Sequence, residues 1–454
     1  MSLAGYLQDL AKKVIKICEN WKRDGKIRKE PHIYVKHKVE KFEYNKGNIA
    51  LSSSFPVIVK EKWHFGDIFN LIITVKKNIP EYKKTYKHIA ETYDIKEPQA
   101  DFWLFLFVQK LITTHIEKKL SHEEILDIIV TFIKDLDRSP IEWNLKVWLE
   151  GIWLDIEEIS IEKGITIRKP QPSDLEYEYP VGMPLLSVHY ESINHPSAVL
   201  EITKRTRNQS DINFEIEKII LALQLYKIGS VNKILAEWRP KSILNFDGTT
   251  SSFIRWWTTT YKYPITKEDV KSLPQFVKMI KPLIPTDNKT GRPLSSNPIG
   301  IAILRYQDSL FKPEAIENKI AYTIMGLEAL YLKANEREEL SHRLAQRTAK
   351  IMEIFNEPPI KVYSIVKNAY EIRSSFVHGS PVSVKDSRKT KEILDKIIDY
   401  LRKSIFIFLQ IGKEKEEFIN LIDNAILETK AYEKLKKLLK ETIVTTGGKT
   451  TSTN

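Results

Sequence analysis

The sequence predicts an α+β N-terminal region followed by an all-α helical bundle. Three observations carry that expectation. Stretches of alternating polar and apolar residues recur through the first 285 residues. A run rich in Pro, Ser, Asn and Gly, PTDNKTGRPLSSNP, then interrupts the apolar pattern. Beyond it the apolar residues recur almost wholly at helical spacing.

The elements follow in order. Leu7, Leu10, Val14, Ile17 and Trp21 make an opening amphipathic helix. HIYVKHKVE alternates with period two, so residues 31–60 read as strands. Pro98 to Leu120 is an aromatic-rich helix with its proline in the first turn. Ser121 and Glu124 form a capping box for the next helix. ISIEKGITIR predicts two short strands around Gly164, and strands continue through VHYES and VLEITKRT. A helix carries Ile216, Ile219, Ile220 and Leu223. Two strand-like runs end near Trp256 and Trp257, and Thr266 and Asp269 open another helix. The expected division is residues 1–150 and 151–284 as two N-terminal regions, 285–298 as a linker, 299–440 as the helical bundle and 441–454 as a disordered tail. That tail holds Gly448-Lys449-Thr450, but Ile443 stands where a phosphate-binding loop needs its first glycine.

Composition limits the function classes. Of 454 residues 42% are hydrophobic, ample for packed cores, and the net charge is +12. The first fifty residues hold 12 Lys/Arg against 6 Asp/Glu. Such a surface attracts polyanions, although a solvated lysine-rich surface gives the same balance. The one cysteine, Cys18, excludes an intramolecular disulfide and a thiolate metal cage, and its apolar neighbours suggest a buried position. MSLAGYLQDLAKK turns polar too early for a signal peptide, and the apolar run at Phe102–Val108 is too short for a membrane span. A cytoplasmic protein without membrane contact is expected.

Residues 370–380, YEIRSSFVHGS, hold the residues with the clearest chemistry. Arg373 and His378 lie five apart, a rise of about 7.5 Å and an offset of about 140° on an ideal helix. Gly379 suits a helix C-cap, which would let His378 turn back toward Arg373. Metal-free RNA cleavage uses the ribose 2′-hydroxyl as nucleophile. A neutral imidazole can accept its proton near pH 7, and a guanidinium can hold the phosphorane. By itself Arg-x4-His is a weak signal that recurs by chance in many chains, where it describes a surface arginine near a helix-capping histidine.

The surrounding residues add a resemblance. IAYTIMGLEALYLKANEREELSHRLAQRTAKIM precedes the pair. Leu327-Glu328-Ala329-Leu330, then Glu339, Arg343 and Arg347, then Tyr370, Arg373, Ser374, His378 and Gly379, follow the order of motifs in Apea-like HEPN proteins. About 120 residues, roughly 297–412, are similar to that family, and GITIRKPQPSDLE and LALQLYKIGSV extend the likeness loosely upstream. The resemblance implies a HEPN helical bundle for the C-terminal third and an endoribonuclease with catalytic Arg373 and His378. It also implies a homodimer in which two such pairs share one cleft, and no metal or cofactor. Glu328 would orient Arg373, or be an ordinary helix-surface glutamate. Many HEPN ribonucleases carry Asn, Asp or His where this chain has Ser374.

Other residues offer weaker candidates. Lys385, Arg388 and Lys389 form a basic cluster beyond the motif, suited to RNA phosphates or simply to a solvated loop. Lys204, Arg205 and Arg207 form another. His189 and His195, with Glu191 and Glu201, have no evident third ligand, and His32 and His37 look structural. Trp256-Trp257 beside Arg255 could stack bases, but neighbours on a strand face opposite ways. The leading expectation is a defence or stress effector that cleaves single-stranded RNA. The alternatives are a non-catalytic module binding RNA or a protein, and a toxin-like effector held by an antitoxin. The N-terminal region would sense the trigger or select substrate.

Overall fold

The computed structural model describes residues 2–180, 195–251, 261–287, 290–377 and 387–444. Fifteen α-helices and twelve strands lie among them. Helix α1 (Leu3–Arg23) precedes β1 (Lys29–Asn45), β2 (Asn48–Ser54) and β3 (Val57–Trp63). Helices α2 (Phe65–Asn78), α3 (Pro80–Tyr93), α4 (Glu97–Lys118) and α5 (His122–Leu136) follow. Leu7, Leu10 and Val14 are fully buried in the core these helices share, as their spacing requires. Cys18 lies there too, and burial pushes its thiol up to about 11. Ser121 and Glu124 close the expected capping box on α5.

A six-stranded antiparallel sheet forms the centre. Its members are β4 (Ile141–Glu150), β6 (Glu158–Glu162), β7 (Ile165–Arg168), β9 (Ala198–Thr206), β10 (Asn232–Pro240) and β11 (Gly248–Ser251), in the order β11-β10-β4-β9-β7-β6. Gly164, at φ +80°, makes the turn between β6 and β7, where a Cβ would also strike the Thr203 carbonyl. The short β5 (Ile152–Leu154) pairs in parallel with β12 (Tyr263–Ile265). Between β7 and β9 lie a one-turn helix, α6 (Pro172–Leu175), and β8 (Tyr177–Pro180), which pairs with β1. One face of the central sheet, through Trp148, Val199 and Leu235, packs against Phe42, Ile49 and Leu51 of the β1–β2 hairpin.

The other face packs against α7 (Gln209–Tyr226) and α8 (Asp269–Ile280). The helices beyond are α9 (Pro298–Phe311), α10 (Ile316–Tyr331), α11 (Leu340–Met352), α12 (Pro359–Val377), α13 (Ser387–Gln410), α14 (Lys415–Leu427) and α15 (Thr429–Val444). Ile320, Ile324, Leu327 and Leu330 of α10 are fully buried, and so are Ile397, Leu401 and Ile405 of α13.

The structure departs from the expected class, an α+β N-terminal region followed by an all-α HEPN helical bundle. The N-terminal region is a sheet-rich α/β region whose strands fall in three sheets and alternate with helices along the chain. The C-terminal region is helical but shares its core with the central sheet: one apolar cluster runs from Ile141 to Leu439. The physical reason is α7. Ile219 to Leu225 are all buried, so the C-terminal half of this helix has no solvent face and lies between two layers. Polar bonds join the layers as well. The Tyr306 hydroxyl donates to the Gln224 carbonyl at 2.9 Å. Arg402 donates to the carbonyls of Leu225 and Tyr226, at 3.0 and 3.1 Å, and so caps the end of α7 from α13. Residues 285–298 lie against α7, where Gly291 approaches Phe214 too closely for a larger residue to fit freely.

Candidate functional site

The site is built where α12 meets α10. Val362, Val366 and Ala369 are fully buried at spacings of four and three, and Arg373 occupies the next inward position. On α10 the same geometry runs through Ile320 and Ile324 to Glu328. Two charged side chains therefore continue two apolar stripes and meet at the edge of the core. Arg373 Nη2 lies 3.6 Å from Glu328 Oε2, with both side chains about three-quarters buried. The Tyr370 hydroxyl lies beside the same carboxylate, and its ring centroid lies 5.8 Å from the Arg373 guanidinium carbon.

Electrostatics at this corner are opposed. Burial pushes the Glu328 carboxyl above its ordinary range, while Arg373 and the Tyr370 hydrogen bond pull it back. Burial likewise raises the Tyr370 hydroxyl, and the neighbouring Glu328 adds to the rise. Arg373 Nε is buried with no acceptor among the described residues. The guanidinium is held by one carboxylate and one ring, and it keeps donor capacity for an anion.

Of the other expected site residues, Ser374 is half-buried on α12 beside Arg373. Arg388 and Lys389 are exposed in the first turn of α13, with Arg388 3.6 Å from Glu392. His378, Gly379 and Lys385 lie outside the described residues, as do His189, Glu191, Arg255, Trp256, Trp257 and the Gly448–Thr450 stretch. In sequence His378 directly follows Val377, the last residue of α12.

Arg343 and Arg347, part of the same motif series, lie away from this corner. Arg347 is 2% exposed and donates to Glu336, Asp423 and the Tyr331 carbonyl at 2.6 to 2.9 Å. It ties α11 to α14 and to the end of α10. Arg343 pairs with Glu336 at 3.3 Å. Lys204 pairs with Glu215, part of a partly buried ion cluster with Lys281 and Glu162. His37 sits between the Leu175 carbonyl and the Ser53 hydroxyl, a structural placement. Among the described residues no three His, Cys, Asp or Glu side chains are grouped to hold a metal, and no helix is long and apolar enough to cross a membrane.

Phe376 is a neighbour that motif reading passed over. It is 44% exposed in the last turn of α12, three residues from Arg373. Its spacing from Arg373 was legible, but its exposure depends on which face α10 covers. No family model, curated protein or solved structure matches the chain.

Proposed function

We propose that the chain is a metal-independent endoribonuclease of HEPN type, a cytoplasmic defence or stress effector that cuts single-stranded RNA. The observation that carries the proposal is the Glu328–Tyr370–Arg373 cluster, which fixes a guanidinium near the end of α12, five residues before His378 in sequence. In this reading His378 accepts the 2′-hydroxyl proton and the freed oxygen attacks the adjacent phosphorus. Arg373 balances the charge gathering on the non-bridging oxygens. The bond to the 5′-oxygen breaks and that oxygen takes a proton, leaving a 2′,3′-cyclic phosphate and a 5′-hydroxyl. Arg388 and Lys389 would hold backbone phosphates on either side of the cut.

The proposed working unit is a homodimer joined through α12. An exposed Phe376 beside the arginine is the apolar surface a second copy would cover, with each patch meeting its own counterpart. Ser374 favours a second reading, a non-catalytic module that binds RNA, because it supplies one less strongly polar group than Asn or Asp would.

The deciding experiment is purified protein with end-labelled single-stranded RNA in EDTA, beside His378→Ala and Arg373→Ala. Cleavage is expected to persist and to leave cyclic-phosphate ends. Loss of the general base should slow it by about 10²–10⁴. Strict dependence on a divalent ion with 5′-phosphate products would overturn the mechanism. Binding without any cleavage would favour the second reading.

A further inference from the structure

Strand β3 lies at the edge of the sheet that it shares with β1, β2 and β8, and among the described residues β1 is its one strand neighbour. The pairing phase fixes which of its backbone groups are used. In an antiparallel pair, hydrogen-bonded and non-hydrogen-bonded residue pairs alternate. The His64 N–H donates to the Arg28 carbonyl at 2.9 Å and the Lys36 N–H to the Pro56 carbonyl at 3.0 Å, so the even-numbered residues bond across β1 and β3. Pro31, which has no N–H, keeps the same phase, because it faces Glu61 in a non-bonded pair. The N–H and C=O groups of Val57, Val59 and Glu61 therefore point away from β1 to the open edge, spaced about 7 Å apart.

The side chains divide by face. Val57 and Val59 lie opposite Val35 and Ile33, and Val57, Val59 and Ile33 are 65%, 63% and 48% exposed. The other face carries Lys60 and Lys62, whose ammonium groups lie 6.0 and 4.7 Å from the Tyr34 ring centroid. Glu178 of β8 meets Lys60, whereas Lys62 has no carboxylate partner among the described residues. An open edge is a template for a further strand, and here the lysines select which one. A second β3 paired antiparallel along its whole length would set Lys60 against its own counterpart, and like charges directly opposite are destabilising. Tyr34 and Val35 pair with both β3 and β8, so β8 flanks β1 on the side away from β3. Its sequence, YEYP, shows the pattern this ribbon accepts: a carboxylate toward the lysines, next to a ring turned the other way against His37.

We propose that β3 receives an extended segment of another protein by strand addition, and that this segment alternates acidic and apolar residues. Its apolar side chains cover Val57, Val59 and Ile33, and its carboxylates answer Lys60 and Lys62. Its backbone bonds to the outward groups of Val57, Val59 and Glu61. The edge shares no residue with the α10–α12 corner, and its occupancy is read as binding, so it stands or falls independently of RNA cleavage.

The test titrates the full chain, by fluorescence anisotropy, with a labelled alternating Glu/Val peptide, the same peptide N-methylated at its valines, and an alternating Lys/Val peptide. Micromolar binding of the Glu/Val peptide is expected. N-methylation removes the donors that reach Val57 and Val59 and should weaken it by about tenfold or more. The Lys/Val peptide should bind no better than the methylated one. Val59→Pro removes one outward N–H and no bond to β1, and should cost about tenfold. Lys62→Glu should weaken the Glu/Val peptide several-fold and strengthen the Lys/Val peptide. Lys62 is exposed, so its variant decides the matter even if Val59→Pro fails to fold. No binding of the Glu/Val peptide, equal binding of its N-methylated form, or binding unchanged in both variants overturns the proposal. So does self-association of the parent chain that a folded Val59→Pro variant abolishes, because a second copy is then the occupant of the edge.

Discussion

At Glu328 a carboxylate is asked to stay ionised in a largely buried corner, and its proton affinity records the conflict. Because the folded value is raised, the native state holds the proton more tightly than the unfolded chain does. The stabilising contribution is therefore present below the unfolded value of about 4.3 and is lost as pH rises through the folded value. Glu328→Gln removes that dependence but keeps an acceptor for Tyr370. Its stability relative to the parent chain should improve between pH 4.5 and pH 7, as read by urea unfolding at both. In the same variant RNA cleavage should fall by about tenfold, since Arg373 loses its charged partner. A stability difference that does not vary with pH would remove the account of Glu328. Arg347 is the opposite case. Its guanidinium holds Glu336 down to about 2, so that stabilisation is present above the ordinary glutamate value and is lost as pH falls toward 2. Arg347→Met strands Glu336 and Asp423, and should cost about 3–5 kcal/mol at neutral pH and flatten the acid limb of unfolding. Equilibrium unfolding across pH 3–7 checks both parts.

Helices α10 and α13 approach closely at Gly326, where an added Cβ would meet Leu401 at 2.7 Å and Arg305 at 3.3 Å. Gly326→Ile should force the two helices apart, lower stability by about 1–3 kcal/mol and reduce cleavage by shifting Glu328, two residues on. Unchanged melting and activity would show that the contact yields easily. Local signals made such elements readable from the chain. The capping box at Ser121, the Gly164 turn and the apolar stripes of α1, α10 and α13 all rest on interactions within a few residues. Long-range pairing did not leave such a mark. Nothing near residue 30 says that β1 will bend from β3 and β8 to β2, and nothing near residue 220 says which layers enclose α7. The site divides the same way. Arg373, Tyr370 and Glu328 were legible as a motif, but their meeting depends on two buried stripes ending at one level.

Across the whole molecule, sheet and C-terminal helices hold one another through α7, Tyr306 and Arg402. A chain ending at residue 298 would leave the outer face of α7, including the run from Ile219 to Leu225, without its cover. Such a fragment should lose its cooperative thermal transition and bind a hydrophobic dye, whereas the full chain melts as one unit above residue 141. A sharp, reversible melt of the fragment would show that the sheet region is self-sufficient.

The same enclosure of α7 has a temporal side. A ribosome adding about 5–20 residues per second delivers α7 some seconds before α10 and α13 exist. For roughly 10 to 30 s the nascent chain carries a helix whose largely apolar C-terminal half has one side open, and only the last helices close it. Newly made protein should therefore depend on holding chaperones during synthesis far more than the finished protein does on refolding from dilute solution.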